Sequence, residues 1–158
     1  MNNVFFYKKR LFIEKHIDTM KLSKNFSYEE MINSATAKRL NIDNTPTVKE
    51  LGELRKLCQQ VLQPIRDMYG KTITVTSGYR CEKLNRAVGG SKTSQHRYGQ
   101  AADITLGTPT LNKKLFNLIL EMINKKEIKV GQLIDEYNYR WIHVSLPYTK
   151  VNNILHIR

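Results

Sequence analysis

The sequence predicts an α+β domain in which helices pack on a small antiparallel sheet. Three observations predict it. Two segments carry apolar residues at helical spacing, several short segments alternate in the strand period, and helices, strands and a final hairpin follow one another without a regular βαβ repeat. At 158 residues and 41% hydrophobic composition, the chain is long enough for one sizeable core. Residues 1–20, basic and irregular around Tyr7-Lys8-Lys9-Arg10, read as an N-terminal extension, and residues 21–158 as a single domain.

Ser27 and Glu30 have capping-box spacing, so a short helix is expected from Tyr28 toward Ser34, with another turn over 35–40 and a loop over 41–46. Thr47 and Glu50 repeat the signal. Behind them Leu51, Leu54, Cys58, Val61, Leu62, Ile65 and Met68 fall on one helical face, and Gly70 stops the helix. Residues 71–76 alternate with β-branched side chains and read as a strand closed by Ser77-Gly78. A short helix is expected over 82–88, ended by Gly89-Gly90, and a buried strand over 101–105. Thr110 is the expected cap of a second amphipathic helix carrying Leu111, Leu115, Leu118, Ile119 and Met122. The hairpin runs 132–136 and 140–146 through Tyr137-Asn138-Tyr139.

Twenty-six Lys and Arg against 14 Asp and Glu give a net charge of +12, which attracts polyanions. The cations are spread along the chain and not interleaved with aromatics, so no nucleic-acid partner is expected. No apolar run spans a membrane, and the first residues lack the order of a secretion signal, so the chain is expected to be made in the cytoplasm without membrane insertion. Cys58 and Cys81 form neither a disulfide framework nor a C-x-x-C pair and read as free thiols.

The chemistry concentrates between Ser94 and Asp103. His96 and Asp103 stand seven positions apart across a turn into a strand, and His143 follows in Trp141-Ile142-His143. Two imidazoles and one carboxylate suit a zinc ion and leave its fourth position open for water, which points to hydrolysis. In the hairpin, Ile134 is expected opposite His143 and Glu136 opposite Trp141. That pairing turns Glu136 toward the His143 side as general base and Asp135 to the other face. A one-residue slip exchanges the two acids. Arg80 can grip a carboxylate or an oxyanion, and Ser94 can add a hydroxyl.

Ser77-Gly78-Tyr79-Arg80, then Ser94-x-His96-x-x-Gly99-x-Ala101-x-Asp103, then Trp141-Ile142-His143-Val144-Ser145 resemble the D-Ala-D-Ala zinc carboxypeptidase family in residues and order. Residues 25–46 resemble the front end of its phage and prophage branch. The resemblance implies a fold shared with the Hedgehog signalling domain. His96, Asp103 and His143 would be the ligands of one Zn²⁺, with Arg80 and Ser94 on the substrate. That substrate would be a D-amino-acid bond in a peptidoglycan stem peptide. A phage-type enzyme of endolysin kind would reach the wall after membrane permeabilisation or by riding on another particle, and monomer is the default state expected of a small wall hydrolase. Many members carry a Glu three residues before the last His, where this chain has Arg140, so the base assignment moves to Glu136.

Three alternatives stay open in the sequence. Asp103 is a ligand or a salt-bridge partner of Arg80 or Arg97. The protein is a peptidase or a non-catalytic zinc module that binds wall or protein. As a peptidase, it removes a terminal D-Ala or cuts within a cross-link. His16 and His156 have no metal-spacing partner and read as ordinary histidines.

Overall fold

The computed structural model describes residues 20–148 and 150–158. The basic extension expected over residues 1–20 therefore lies outside the described residues, Met20 excepted. Serine hydroxyls start the first two helices: Ser27 and Ser34 accept from the Glu30 and Ala37 amides at the heads of α1 (Tyr28–Ile32) and α2 (Ala35–Arg39). The Thr47–Glu50 capping box is made in both directions and opens α3 (Val48–Leu57). A π-helical turn over Cys58–Leu62 leads into α4 (Gln63–Tyr69), which Gly70 ends at φ +77°. That turn inserts about one residue into the α period. Leu54, Leu57, Cys58, Val61, Leu62 and Ile65 are buried along this run, while Met68 in the last turn is exposed.

Strand β1 (Thr74–Ser77) begins later than the alternation suggested, because Lys71 and Thr72 lie exposed ahead of the ladder. After α5 (Glu82–Ala87) and a 3₁₀ turn over Gln95–Tyr98 comes β2 (Ala101–Thr105). The long helix α6 (Pro109–Asn124) is capped by Thr108 and not by Thr110. Pro109 accounts for the shift, since its fixed φ and missing amide suit the first helical position. The hairpin strands are β3 (Gln132–Glu136) and β4 (Trp141–Ser145).

A fifth strand, β5 (Asn153–Ile157), was not anticipated; it lies parallel to β3 at the sheet edge. The sheet order is β1-β2-β4-β3-β5, antiparallel except for that last pair. Ala102, Ile104, Leu133, Ile142 and Val144 share one core with Leu54, Leu57, Ile65, Leu115, Phe116 and Ile119 from the helices. These strand residues alternate with Asp103, Ile134 and His143, so one sheet face carries the helices and the other is free for a site. Among the described residues, no helix is long and apolar enough to cross a membrane.

The hairpin turn is made of three non-glycine residues, Tyr137, Asn138 and Tyr139, at φ of 50°, 58° and 63°. Each left-handed residue costs on the order of 1–2 kcal/mol, so the turn needs outside support. Asn112, fully buried on α6, supplies it: its amide donates to the Tyr139 and Arg140 carbonyls at 2.9 and 3.0 Å, and its Oδ1 accepts from the Leu106 amide at 2.7 Å. Removing one buried partner strands the others at roughly 1–3 kcal/mol per group. Asn112→Ala is expected to destabilise the protein by about 2–4 kcal/mol in urea unfolding, and a loss under 0.5 kcal/mol would refute this tether.

Candidate metal centre

Strand register assembles the centre. Asp103 on β2 stands directly opposite His143 on β4, Ser77 on β1 pairs with Asp103 on its other side, and Ile134 on β3 pairs with His143. His96 comes from outside the sheet, on the 3₁₀ turn that ends at Gly99 in the left-handed region, φ +69°. A Cβ at Gly99 would also lie 2.5 Å from the Glu50 carbonyl oxygen, so only glycine lets this turn seat against α3.

The three ligand candidates converge. His96 Nε2 lies 3.2 Å from Asp103 Oδ1 and 3.2 Å from His143 Nδ1, and His143 Nδ1 lies 3.0 Å from the same Oδ1. The orientation of His96 is decided on its far side, where Nδ1 donates to the Gly78 carbonyl at 2.7 Å. A carbonyl only accepts, so Nδ1 carries the proton and Nε2 presents a lone pair to the cluster. Three lone-pair-bearing atoms then meet with at most the His143 Nδ1 proton between them, an arrangement that a divalent cation satisfies fully. Separations of 3.0–3.2 Å are close to the edge of about 3.3 Å expected between ligands of a tetrahedral zinc with bonds near 2.05 Å. The donor set and its spacing fit zinc.

Burial works against charge here and sets the protonation states. It pushes the fully buried His96 imidazole below its ordinary pKa, against the pull of Asp103, and keeps it neutral as a ligand must be. Burial would raise the Asp103 carboxyl, but the two imidazoles beside it outweigh this and hold the acid well below the usual carboxylate range. Both shifts act in the same direction on stability. As pH falls below the ordinary imidazole range and then the ordinary carboxylate range, the unfolded chain takes up protons that the folded metal-free site resists, and stability is lost.

Around the triad lie the residues expected to touch substrate. Arg80 NH2 is 3.6 Å from Asp103 Oδ2, so Asp103 faces the imidazoles with one oxygen and the guanidinium with the other. Asp103 thus pairs with Arg80 while its other oxygen stays within the triad, and Arg97 pairs with Glu82 instead. Among the described residues the Arg80 Nε is buried without a partner, and its backbone amide donates to the His96 carbonyl at 3.1 Å, coupling the two segments. Ser94 lines the same cleft, and its hydroxyl caps no helix. Glu136 pairs with Trp141 as expected and lines the cleft with the triad, whereas Arg140 is exposed in the hairpin turn. Burial and the Asp103 charge raise the Glu136 carboxyl, and His143 and Arg80 draw it back in part.

Asp135 points to the opposite face and is fully buried, held by His156 Nδ1 and by Arg158 NH1 at 3.1 Å. It is removed from the cleft, which separates the two acids that a slip would exchange. His156 pairs with Asp135, away from the His96, Asp103 and His143 group.

A family model described as Peptidase M15 matches residues 24–145, well over half of the chain. The chain belongs to the Peptidase M15 family. Its members are zinc-dependent peptidases of the D-Ala-D-Ala carboxypeptidase type that act on peptidoglycan peptides. No curated protein matches the chain. The M15 match ends at the close of β4, so β5 and its grip on Asp135 lie beyond the matched residues.

Sequence reasoning missed two supports of this M15 centre. The β5 strand was signalled only by the short apolar run Ile154-Leu155 and by Ile157, and its pairing with Asp135 through His156 has no local signal. Gly78 serves through its carbonyl, and a Cβ there would lie 2.2 Å from the Met31 carbonyl oxygen, which no single-residue signal discloses. Gly78→Ala is therefore expected to tilt His96 and weaken zinc binding at least tenfold in competition titration against a chelating dye, with one zinc bound per wild-type chain. Wild-type affinity in the variant would remove Gly78 from the site.

Proposed function

We propose that the chain hydrolyses a peptide bond adjoining a D-amino-acid residue in bacterial peptidoglycan stem peptides, with His96, Asp103 and His143 as the ligands of one zinc ion. A zinc ion held by these three residues would supply Lewis-acid chemistry, acidifying a water to a pKa of about 7 and polarising a carbonyl. Glu136 takes the proton of the attacking water and returns it to the departing amine. Arg80, with a free buried Nε and a guanidinium facing the cleft, binds a substrate carboxylate or the developing oxyanion, and the Ser94 hydroxyl adds a hydrogen bond. The observation that carries the reading is one cleft of about 420 Å³ lined at once by the triad, Glu136, Arg80 and Ser94.

Glu136 favours the peptidase over a binding module. A carboxylate raised above its ordinary range, beside three convergent ligand atoms, is what proton transfer near neutral pH requires and what wall binding does not. The reading extends to a monomer of phage endolysin type, made in the cytoplasm and reaching the wall on release, where its +12 charge assists adsorption to acidic polymers.

Mass spectrometry of defined stem peptides after incubation with zinc-loaded protein tests the reading. Hydrolysis is expected, abolished by chelation and by His96→Ala. Glu136→Gln should lower kcat roughly 10²–10⁴-fold while keeping zinc content. In the wild type the rate is expected to fall as acidity protonates Glu136. Full activity in Glu136→Gln would sink its assignment as base.

A further inference from the structure

The cleft over the triad is the middle of a longer groove. On the β1 side a cavity of about 430 Å³ shares Arg80, Val88 and Asp103 with it; on the β3 side another of about 430 Å³ shares Ser91, Ser94, Glu136 and His143. The groove runs across the strands along the paired residues Ser77, Asp103, His143 and Ile134. Three strand spacings of about 4.8 Å make this row about 14 Å long, which holds about four residues of extended peptide at about 3.3 Å each. The two metal-ligand candidates in the row are its middle members. Roughly two substrate residues therefore fit on each side of the scissile bond.

An enzyme that removes one terminal residue needs a cation closing the groove just past the reaction centre, to hold the free carboxylate. Arg80 does not close it. Its guanidinium lies beside Asp103 at 3.6 Å, and the β1-side arm continues beyond it past Thr76, Ser34 and Thr36. The β3-side arm is lined by Gln95, Gln100 and Gln132, amide groups suited to peptide backbone, with exposed Lys150 also lining it. Both arms are open, the β1-side arm mainly polar and the β3-side arm of mixed character.

From this we infer that the protein is an endopeptidase whose substrate runs through both arms, as the bridging peptide of cross-linked stem peptides does, and not a carboxypeptidase. The inference rests on the proposed peptidase activity and names its substrate class. Lys150 then meets an acidic side group of the stem, and no terminal carboxylate is required.

The test compares the zinc-loaded full chain on a cross-linked stem-peptide dimer and on a pentapeptide ending in D-Ala-D-Ala, each with free or amidated C-terminal carboxyls. Separation of the dimer is expected at a kcat/KM at least tenfold above release of terminal D-Ala, changing less than threefold on amidation. Release of D-Ala at the same or greater efficiency, lost on amidation, overturns the inference and leaves the peptidase reading intact. A second measurement follows amide NMR shifts of zinc-loaded Glu136→Gln on addition of the dimer, and shifts are expected both at Ser34 and Thr36 and at Gln132. Shifts in one arm alone overturn the two-armed groove. Shifts in both arms with no cleavage by the wild type overturn the peptidase reading while the groove assignment stands, and neither binding nor cleavage overturns both.

Discussion

The pairing of β2 with β4 is the constraint on which the site and the core both depend. It places Asp103 opposite His143 on one face of the sheet and Ala102 opposite Val144 on the other. Because side chains alternate, a one-residue slip would bury the carboxylate under the helices and turn the apolar residues outward. The hydrophobic effect thus sets the geometry of the ligand candidates: burial of Ala102, Ile104, Ile142 and Val144 selects the register in which Asp103 and His143 face one another. Central strands of a five-stranded sheet are the least mobile place to build such a centre, while His96 is added from a short turn locked by Gly78 and Gly99.

Gathering a carboxylate, two imidazoles, a guanidinium and a second carboxylate in a half-closed cleft works against folding unless each charge is compensated. The compensation here is pairwise and directional. The Gly78 carbonyl orients one imidazole, Asp103 divides its two oxygens between the imidazoles and Arg80, and Asp135 is drawn to the far face by His156 and Arg158. A bound cation would relieve the lone pairs left pointing at one another and would couple metal affinity to fold stability.

Much of this architecture was legible in the chain, because its signals are local. Capping boxes at Ser27 and Thr47 marked helix starts, and alternation with a three-residue turn set the hairpin pairing that separates Glu136 from Asp135. The spacing of His96, Asp103 and His143 marked the metal candidates. What the sequence concealed depends on tertiary placement. Pro109 moved a helix start from Thr110 to Thr108, and β5 formed next to β3, far from any local pairing signal. Gly78 matters for a close backbone approach, and the length of the groove emerges only when cavities over adjacent strands join.

The parallel strand at the end of the chain has a consequence for how the molecule behaves among its own copies. Without β5, the free edge of β3 would offer unpaired amides and carbonyls flanking Leu133 and Ile134, a template for strand addition by a neighbouring chain. With β5 in place, the outer edge passes to a five-residue strand that carries His156 and is followed by Arg158. A short edge templates little pairing even with Leu155 and Ile157 exposed on it, and the net charge of +12 keeps copies apart. The closing strand thus guards colloidal solubility at high concentration, a property separate from both the stability of the fold and the chemistry of its cleft.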